Sequence, residues 1–367
     1  MGKVREVEVL LGPQHPGAPG NVAFLLKLDG ERVIDADVIP GYLHRGFEKM
    51  MEYRWWEVDV VMSARFCVED PDNFELAYVR AAEDVYGLEP PEKARRVRTI
   101  IAEMGRIQSH LFWLLFIGGV VGARYIPSWA MAAREEILKW YDYITGHRVY
   151  HHYMVPGGIR WNIPQDFQER TLKVLRFVER IVNDIKRALF DNKIFQARTR
   201  GMGVLKASDA IRLGATGPVL RGSGVRHDVR IIDPYEAYDE VEFEVPVGEH
   251  GDSYDRCLVR LREIYQSISI IRQLVGKVST DGVYRYKIPL VAPPGEGIGR
   301  VETARGEYLI HITSTGGQTP YRVRLRTPSM AHLTTVIKHV LKNEEITIAD
   351  FPVFVKSLDP CAPDLDR

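Results

Sequence analysis

The sequence predicts an α+β protein: a core bundle of long helices, an N-terminal antiparallel β-sheet and a small mixed C-terminal region. Three observations predict it. Residues 3–40 hold short β-branched runs bounded by Gly and Pro. The middle of the chain holds four long stretches with apolar residues at three- and four-residue spacing. The last third returns to alternating patterns and short helical signals.

In chain order, "VREVEVLLG", "NVAFLLKLDG" and "RVIDADVIP" read as strands, and the Asp29-Gly30 pair between the last two signals a hairpin. From about Arg45 the pattern turns helical. "EKARRVRTIIAEMGRIQSHLFWLLF" follows Pro90 and Pro91, which suit a helix start. "PSWAMAAREEILKWYDYITGHRVYHHYM", "PQDFQERTLKVLRFVERIVNDIKRALFDN" and "SYDRCLVRLREIYQSISIIRQLVGKV" are the other long helices, long enough to pack as a bundle. "VPGGIRWNIP" and "GATGPVLRGSGVRHDVR" read as Gly-rich loops, the second as a close backbone approach rather than a phosphate cradle, since it fits no dinucleotide or P-loop pattern. "RGEYLIHITSTGGQTPYRVRLRTPS" reads as a hairpin around Thr315-Gly316-Gly317. The helix "SMAHLTTVIKHVLKN" and a short strand "FPVFV" follow. The expected division is a sheet region (1–40), a helical core with Gly-rich loops (41–280), and a mixed region (281–367) whose "DPC" segment packs back on the core.

Of 367 residues, 45% are hydrophobic and 27% charged, an ordinary globular composition. Lys and Arg balance Asp and Glu at 49 each, so no global basic field exists to attract nucleic acid. Three cysteines provide no disulfide framework. No signal-peptide core is present at the N-terminus. The most apolar stretch, "SHLFWLLFIGGVVGARYIP", falls short of a membrane span of roughly 20 residues and is closed by Arg124. A buried core helix is expected there, in a soluble or peripheral protein that meets a membrane only through partners.

Cys67 and Cys361 carry the chemistry. Each stands in a Cys-x-x-Asp frame, "CVED" and "CAPD", at opposite ends of the chain. A lone Cys is ordinarily a small buried hydrophobe, and Cys257, on an amphipathic helix, reads that way. Two matching frames pair a soft with a hard ligand type, an odd donor set for zinc or an iron–sulfur cluster.

"GPQHP", "GYLHRGFEKMME", "RIQSHLFWL", "VPGGI", "ATGPVLRGSGV", "RGEY", "PYRVRLRTPS" and "DPC…DR" occur in that order. Together they resemble the large subunit of membrane-bound nickel–iron hydrogenases and its relative, the D subunit of NADH:quinone oxidoreductase. The resemblance covers nearly the whole chain and implies that family's fold. In the hydrogenases two Cys-x-x-Cys pairs hold nickel and iron. They fall here on Cys67/Asp70, after Arg65, and on Cys361/Asp364, so each pair keeps only its first thiol. The resemblance therefore implies neither a nickel–iron centre nor any metal held by this chain. The pattern of the NADH:quinone oxidoreductases implies a quinone site made by a second loop His and a Tyr. Those positions are Pro19 and Val68, so quinone reduction is the weaker alternative.

The same pattern places "HRGFEK" and "RIQSH" towards a [4Fe–4S] cluster held by a small partner subunit. His44, Arg45, Arg106 and His110 are then expected to face it, with His15 and Arg221 in pocket loops. The pattern's redox-linked His falls on Tyr150, just before His151 and His152. The set as a whole is most similar to the large subunit of an archaeal membrane-bound sulfane sulfur (polysulfide) reductase. That implies a peripheral-arm subunit at the cytoplasmic face of the membrane, with ferredoxin as donor and antiporter-like membrane-arm subunits as partners. Cys67, Cys361, Asp70, Asp364, Glu69 and Arg65 are the expected catalytic group. A non-catalytic coupling subunit is the remaining alternative.

Overall fold

The computed structural model describes residues 6–15, 17–18 and 20–367. Residues 4–5 of the first expected strand, and Pro19, lie outside the described residues.

The N-terminal sheet is antiparallel. Strands β1 (Val7–Leu11), β2 (Ala23–Asp29) and β3 (Arg32–Ile39) pair in sequence order. Asp29 pairs with Arg32 across a two-residue turn in which Gly30 has φ 61°, so the Asp29-Gly30 reading holds. The fourth strand comes from far along the chain, β9 (Ile346–Thr347), paired to β3.

Among the described residues, seven helices frame the site: α1 (Pro71–Tyr86), α2 (Glu92–Val120), α3 (Tyr125–Thr145), α4 (Phe167–Ile185), α5 (Ser253–Val275), α6 (Phe351–Leu358) and α7 (Ala362–Asp366). α2 is central, packing on α3 and α5. It is long and apolar enough to cross a membrane, but 83% of its most apolar window is buried inside the protein. α3 stops at Gly146, φ 73°, before the "GHRVYHHYM" tail expected to continue it. The tail runs instead into a small hairpin, β4 (Met154–Val155) and β5 (Gly158–Ile159).

A three-stranded sheet covers α1: β6 (Ala292–Thr303), β7 (Gly306–Gly317) and β8 (Arg322–Arg326). The β7–β8 hairpin expected there forms, but Thr315-Gly316-Gly317 ends β7 paired to β6, and the chain turns after Gly317. β6 escapes the sequence reading, because "APPGEGIGRVET" is rich in Gly and Pro. Its glycines have a packing reason. A Cβ on Gly299 would sit 1.8 Å from the Ala77 carbonyl oxygen, and one on Gly297 would sit 2.1 Å from that of Ala81. Only glycine lets strand and helix backbones meet there.

Two expectations are corrected. "FPVFV" is not a strand; it opens α6, with Pro352 in the first turn where its missing N–H costs nothing. "GATGPVLRGSGV" is not all loop, since Gly217–Gly222 is helical. The close approach expected there is present: Gly217, φ 62°, lies against the backbone of Arg305 and Gly306.

Gly299→Ala should destabilise the protein by about 3 kcal/mol or more through overpacking. Gly295→Ala, which meets nothing within 4 Å, should stay within about 0.5 kcal/mol. Denaturant titration of both variants checks this.

Candidate functional site

Cys67 precedes α1 and Cys361 caps α7, and the fold brings them together. Their sulfurs lie 3.5 Å apart, with Cys361 donating, and both residues are buried. That donated bond, and burial after it, push the Cys361 thiol well above its ordinary value. Arg305, in the turn between β6 and β7, is fully buried against them. Its Nη1 donates to Cys67 Sγ at 3.3 Å and to Ser109 Oγ of α2 at 3.4 Å. Its Nε donates to the Asp359 carbonyl at 3.0 Å. Its Nη2 pairs with Glu69 and lies 3.4 Å from an Asp359 carboxylate oxygen.

The turn carrying Arg305 is itself braced. Arg106 donates to the Thr303 carbonyl at 2.9 Å and the Glu302 carbonyl at 2.6 Å. Asp70 accepts from the Ala304 N–H at 2.7 Å and from the Asn73 amide at 2.7 Å. Burial raises the Asp70 carboxyl to about 7. Behind the turn runs a buried ionic network. Arg230 links Asp228 and Glu103, and Arg106 also pairs with Glu103. Arg221 joins Glu263 and Glu302, each at 2.8 Å. His110 donates from Nε2 to Glu263 at 2.9 Å. Glu263 is driven far below the carboxylate range despite burial, by Arg221 and His110.

At the outer edge, Arg65 donates to His152 Nε2 at 2.9 Å and lies 4.9 Å from the Tyr150 ring centroid. Burial first, and Arg65 next, lower His152 to about 4, so it is neutral there. Arg45 donates to the Arg65 carbonyl at 3.0 Å. Asp366 accepts from the N–H groups of Gly41 and Leu43, each at 2.8 Å, and its carbonyl accepts from His44 Nδ1 at 2.6 Å. The Asp359–Arg367 segment thereby holds the loop that carries His44 and Arg45.

The chain has relatives among known proteins. The family described as "Respiratory-chain NADH dehydrogenase, 49 Kd subunit" matches residues 121–291 and 284–367. The chain belongs to that 49 kDa subunit family. The D subunit of NADH-quinone oxidoreductase from Thermosipho melanesiensis is 37% identical over 367 residues, covering 99% of this chain and 100% of that protein. The D subunit of F(420)H(2) dehydrogenase from Methanosarcina mazei is also 37% identical, covering 99% and 98%. A chain in the solved structure of the membrane-bound sulfane sulfur reductase, an archaeal respiratory membrane complex, is 39% identical. It superposes with a TM-score of 0.95 over 99% of this chain and 98% of that one.

Within this 49 kDa-type subunit the expected residues divide. Cys67, Cys361, Glu69, Arg65 and Arg45 gather around the thiols, and His44 stands on the exposed loop beside them. Arg106 and His110 are fully buried in the ionic network, so they do not face a partner directly. Arg221 belongs to the same network rather than to a pocket loop. His15 lies on an exposed loop, its Nδ1 accepting from the Gly17 N–H at 3.0 Å. Val68, at the pattern's quinone-Tyr position, is 39% exposed. Pro19 lies outside the described residues. Arg305, Ser109, Asp359 and Asp366 escape the sequence reading. Arg305 stands in the "RGEY" motif, the one available signal for it.

The donors do not fit a hydrogenase-type nickel–iron group. Two thiols stand where four are needed, and both Asp70 oxygens are committed to N–H donors. Asp364 accepts from Ser329 Oγ at 2.9 Å, and that hydroxyl also accepts from the Cys361 N–H at 2.8 Å. Among the described residues no group of three or more His, Cys, Asp or Glu is placed to hold a metal ion.

Arg305→Gln should cost about 3–5 kcal/mol, because Glu69 and Asp359 lose their buried cation; chemical denaturation measures it. Burial raises Asp364 to about 7, against about 3.9 in an unfolded chain. Between those values the unfolded aspartate ionises while the folded one stays protonated, so the group increasingly opposes folding as pH rises. Asp364→Asn removes that titration. Its thermal midpoint relative to wild type should climb from about pH 4 to pH 7 and then level. A flat difference across that range refutes the assignment.

Proposed function

We propose that this chain forms the substrate-pocket wall of a membrane-associated, complex-I-like assembly that reduces sulfane sulfur. Ferredoxin is the electron donor to the complex, and antiporter-like membrane subunits couple the reaction to ion pumping. A small iron–sulfur subunit sits against the His44–Arg45 loop, and its [4Fe–4S] cluster supplies the electrons. The reaction takes two electrons and one proton, breaks one S–S bond of a polysulfide, and releases hydrosulfide and a polysulfide one sulfur shorter.

The observation that carries the reading is the buried thiol pair. It lies beside an edge built by Arg45, Arg65 and Tyr150, and the family resemblance puts it at the position of the hydrogenases' thiolate ligands. Two guanidinium groups at that edge suit an anionic, polarizable substrate better than a neutral quinone. The exposed Val68 offers a quinone carbonyl no hydrogen bond. The 39% identity to a chain of the sulfane sulfur reductase supports the same reading.

In this arrangement burial, with Arg65 next, keeps His152 neutral, and Arg65 orients it. Asp70 and Asp364, each raised to about 7 by burial, titrate near neutral pH close to the thiols.

The purified complex is to be assayed with reduced ferredoxin and three acceptors in parallel: protons, quinone and polysulfide. Polysulfide is expected to be turned over, with neither hydrogen evolved nor quinone reduced at comparable rates. Quinone turnover at or above the polysulfide rate overturns the reading.

A further inference from the structure

We propose that Cys67 and Cys361 form a two-electron dithiol/disulfide couple that attacks polysulfide directly. This inference rests on the sulfane-sulfur reading and assigns the bond-breaking step to residues of this chain.

The geometry carries it. The sulfurs are 3.5 Å apart, and a disulfide needs about 2.05 Å. Closure therefore takes a shift of about 1.5 Å, within reach of side-chain rotation and small movement of the short α7 cap. The two thiols are not equivalent. Arg305 presents an N–H to Cys67 alone, 3.3 Å away, and Cys361 points its S–H at the same sulfur. Cys67 is thus the sulfur whose negative charge is supported, and Cys361 is placed to resolve what forms on it. Cys257, the remaining cysteine, is buried on α5, where burial pushes its thiol up to about 12. It has no part in the couple.

The step balances. Cys67 thiolate attacks a terminal sulfane sulfur, the adjoining S–S bond breaks, and a polysulfide one sulfur shorter leaves. Cys67 now carries a persulfide. The Cys361 sulfur attacks Cys67 Sγ, the disulfide forms, and the transferred sulfur departs as hydrosulfide with the Cys361 proton. Two thiol-derived electrons have reduced one sulfane sulfur. Two electrons from the partner's iron–sulfur donor, with one proton, return the disulfide to thiolate and thiol.

The test uses the intact complex. It is reduced, freed of reductant under anaerobic conditions, exposed to inorganic polysulfide, quenched with N-ethylmaleimide and digested without reduction. Mass spectrometry should find the Cys67 and Cys361 peptides cross-linked, with Cys257 outside the link. Cys361→Ser should replace the link with a Cys67 adduct one sulfur heavier and lower polysulfide turnover at least tenfold. The wild-type mapping needs no variant, so a folding defect cannot obscure it. If wild type reduces polysulfide while both cysteines stay as free thiols throughout, the couple is overturned and the sulfane-sulfur reading survives. If the link forms but the ferredoxin-driven complex does not turn polysulfide over, the couple stands and that reading falls.

Discussion

The site depends on one buried cation. Arg305 binds Cys67 and Glu69 ahead of α1, Ser109 in the middle of α2, and Asp359 near α7. Glu69 and Asp359 stand 290 positions apart in sequence, and among the described residues no other side chain of the site touches all three segments. A guanidinium suits the task because its five donors lie in one fixed plane and it stays charged when buried. A lysine would keep the charge, but its three donors sit on one nitrogen and could not span the contacts that Arg305 makes from Nε, Nη1 and Nη2. Removing the cation would leave two carboxylates in low dielectric, which explains why the surrounding structure is built to hold it.

That building is visible one layer out. A tight β6–β7 turn would ordinarily be a surface feature, free to move. Here Arg106 fixes its two preceding carbonyls, Asp70 fixes its Ala304 N–H, and Gly217 and Gly306 let two backbones touch beneath it. Arg106 is held in turn by Glu103, which also meets Arg230, Ser267 and Tyr238. Buried ionic groups gain little net stability, because desolvation offsets the attraction. Their effect here is positional: each member has few alternative partners, so the turn has few alternative places.

The scaffold is legible in the sequence and the bracing only partly so. Strand alternation, the Asp29-Gly30 turn and the long apolar periodicities follow from local physics and reappear in the structure. β6 is hidden because its glycines serve contact with α1 rather than strand propensity. α6 is misread because five apolar residues suit a strand or a buried helix equally until tertiary packing decides. At the site, the Cys-x-x-Asp frames point to two thiols that the fold does bring together, since the family pattern fixes those positions. Arg106 and His110 are expected too near a partner, and Arg221 too near a pocket, because motif membership says nothing about depth; all three are fully buried. The role of Asp366, which stands in the closing "DPC…DR" motif, is hidden for a different reason. Its hold on the N–H groups of Gly41 and Leu43 is a backbone contact across more than 320 residues, and no spacing rule reports that.

The two aspartates show how buried carboxylates are accommodated beside a thiol pair. An unanchored carboxylate beside two thiols in a buried site would be costly. Neither aspartate is left so. Asp70 has become a brace for the Arg305 turn, and Asp364 anchors the Ser329 hydroxyl that in turn accepts the Cys361 N–H. Each carboxylate thus helps to fix the position of one sulfur, Asp70 through the Arg305 turn and Asp364 through Ser329. The thiols are therefore not loosely held. They are the two groups that the surrounding charge, turn and cap converge to hold within 3.5 Å of each other.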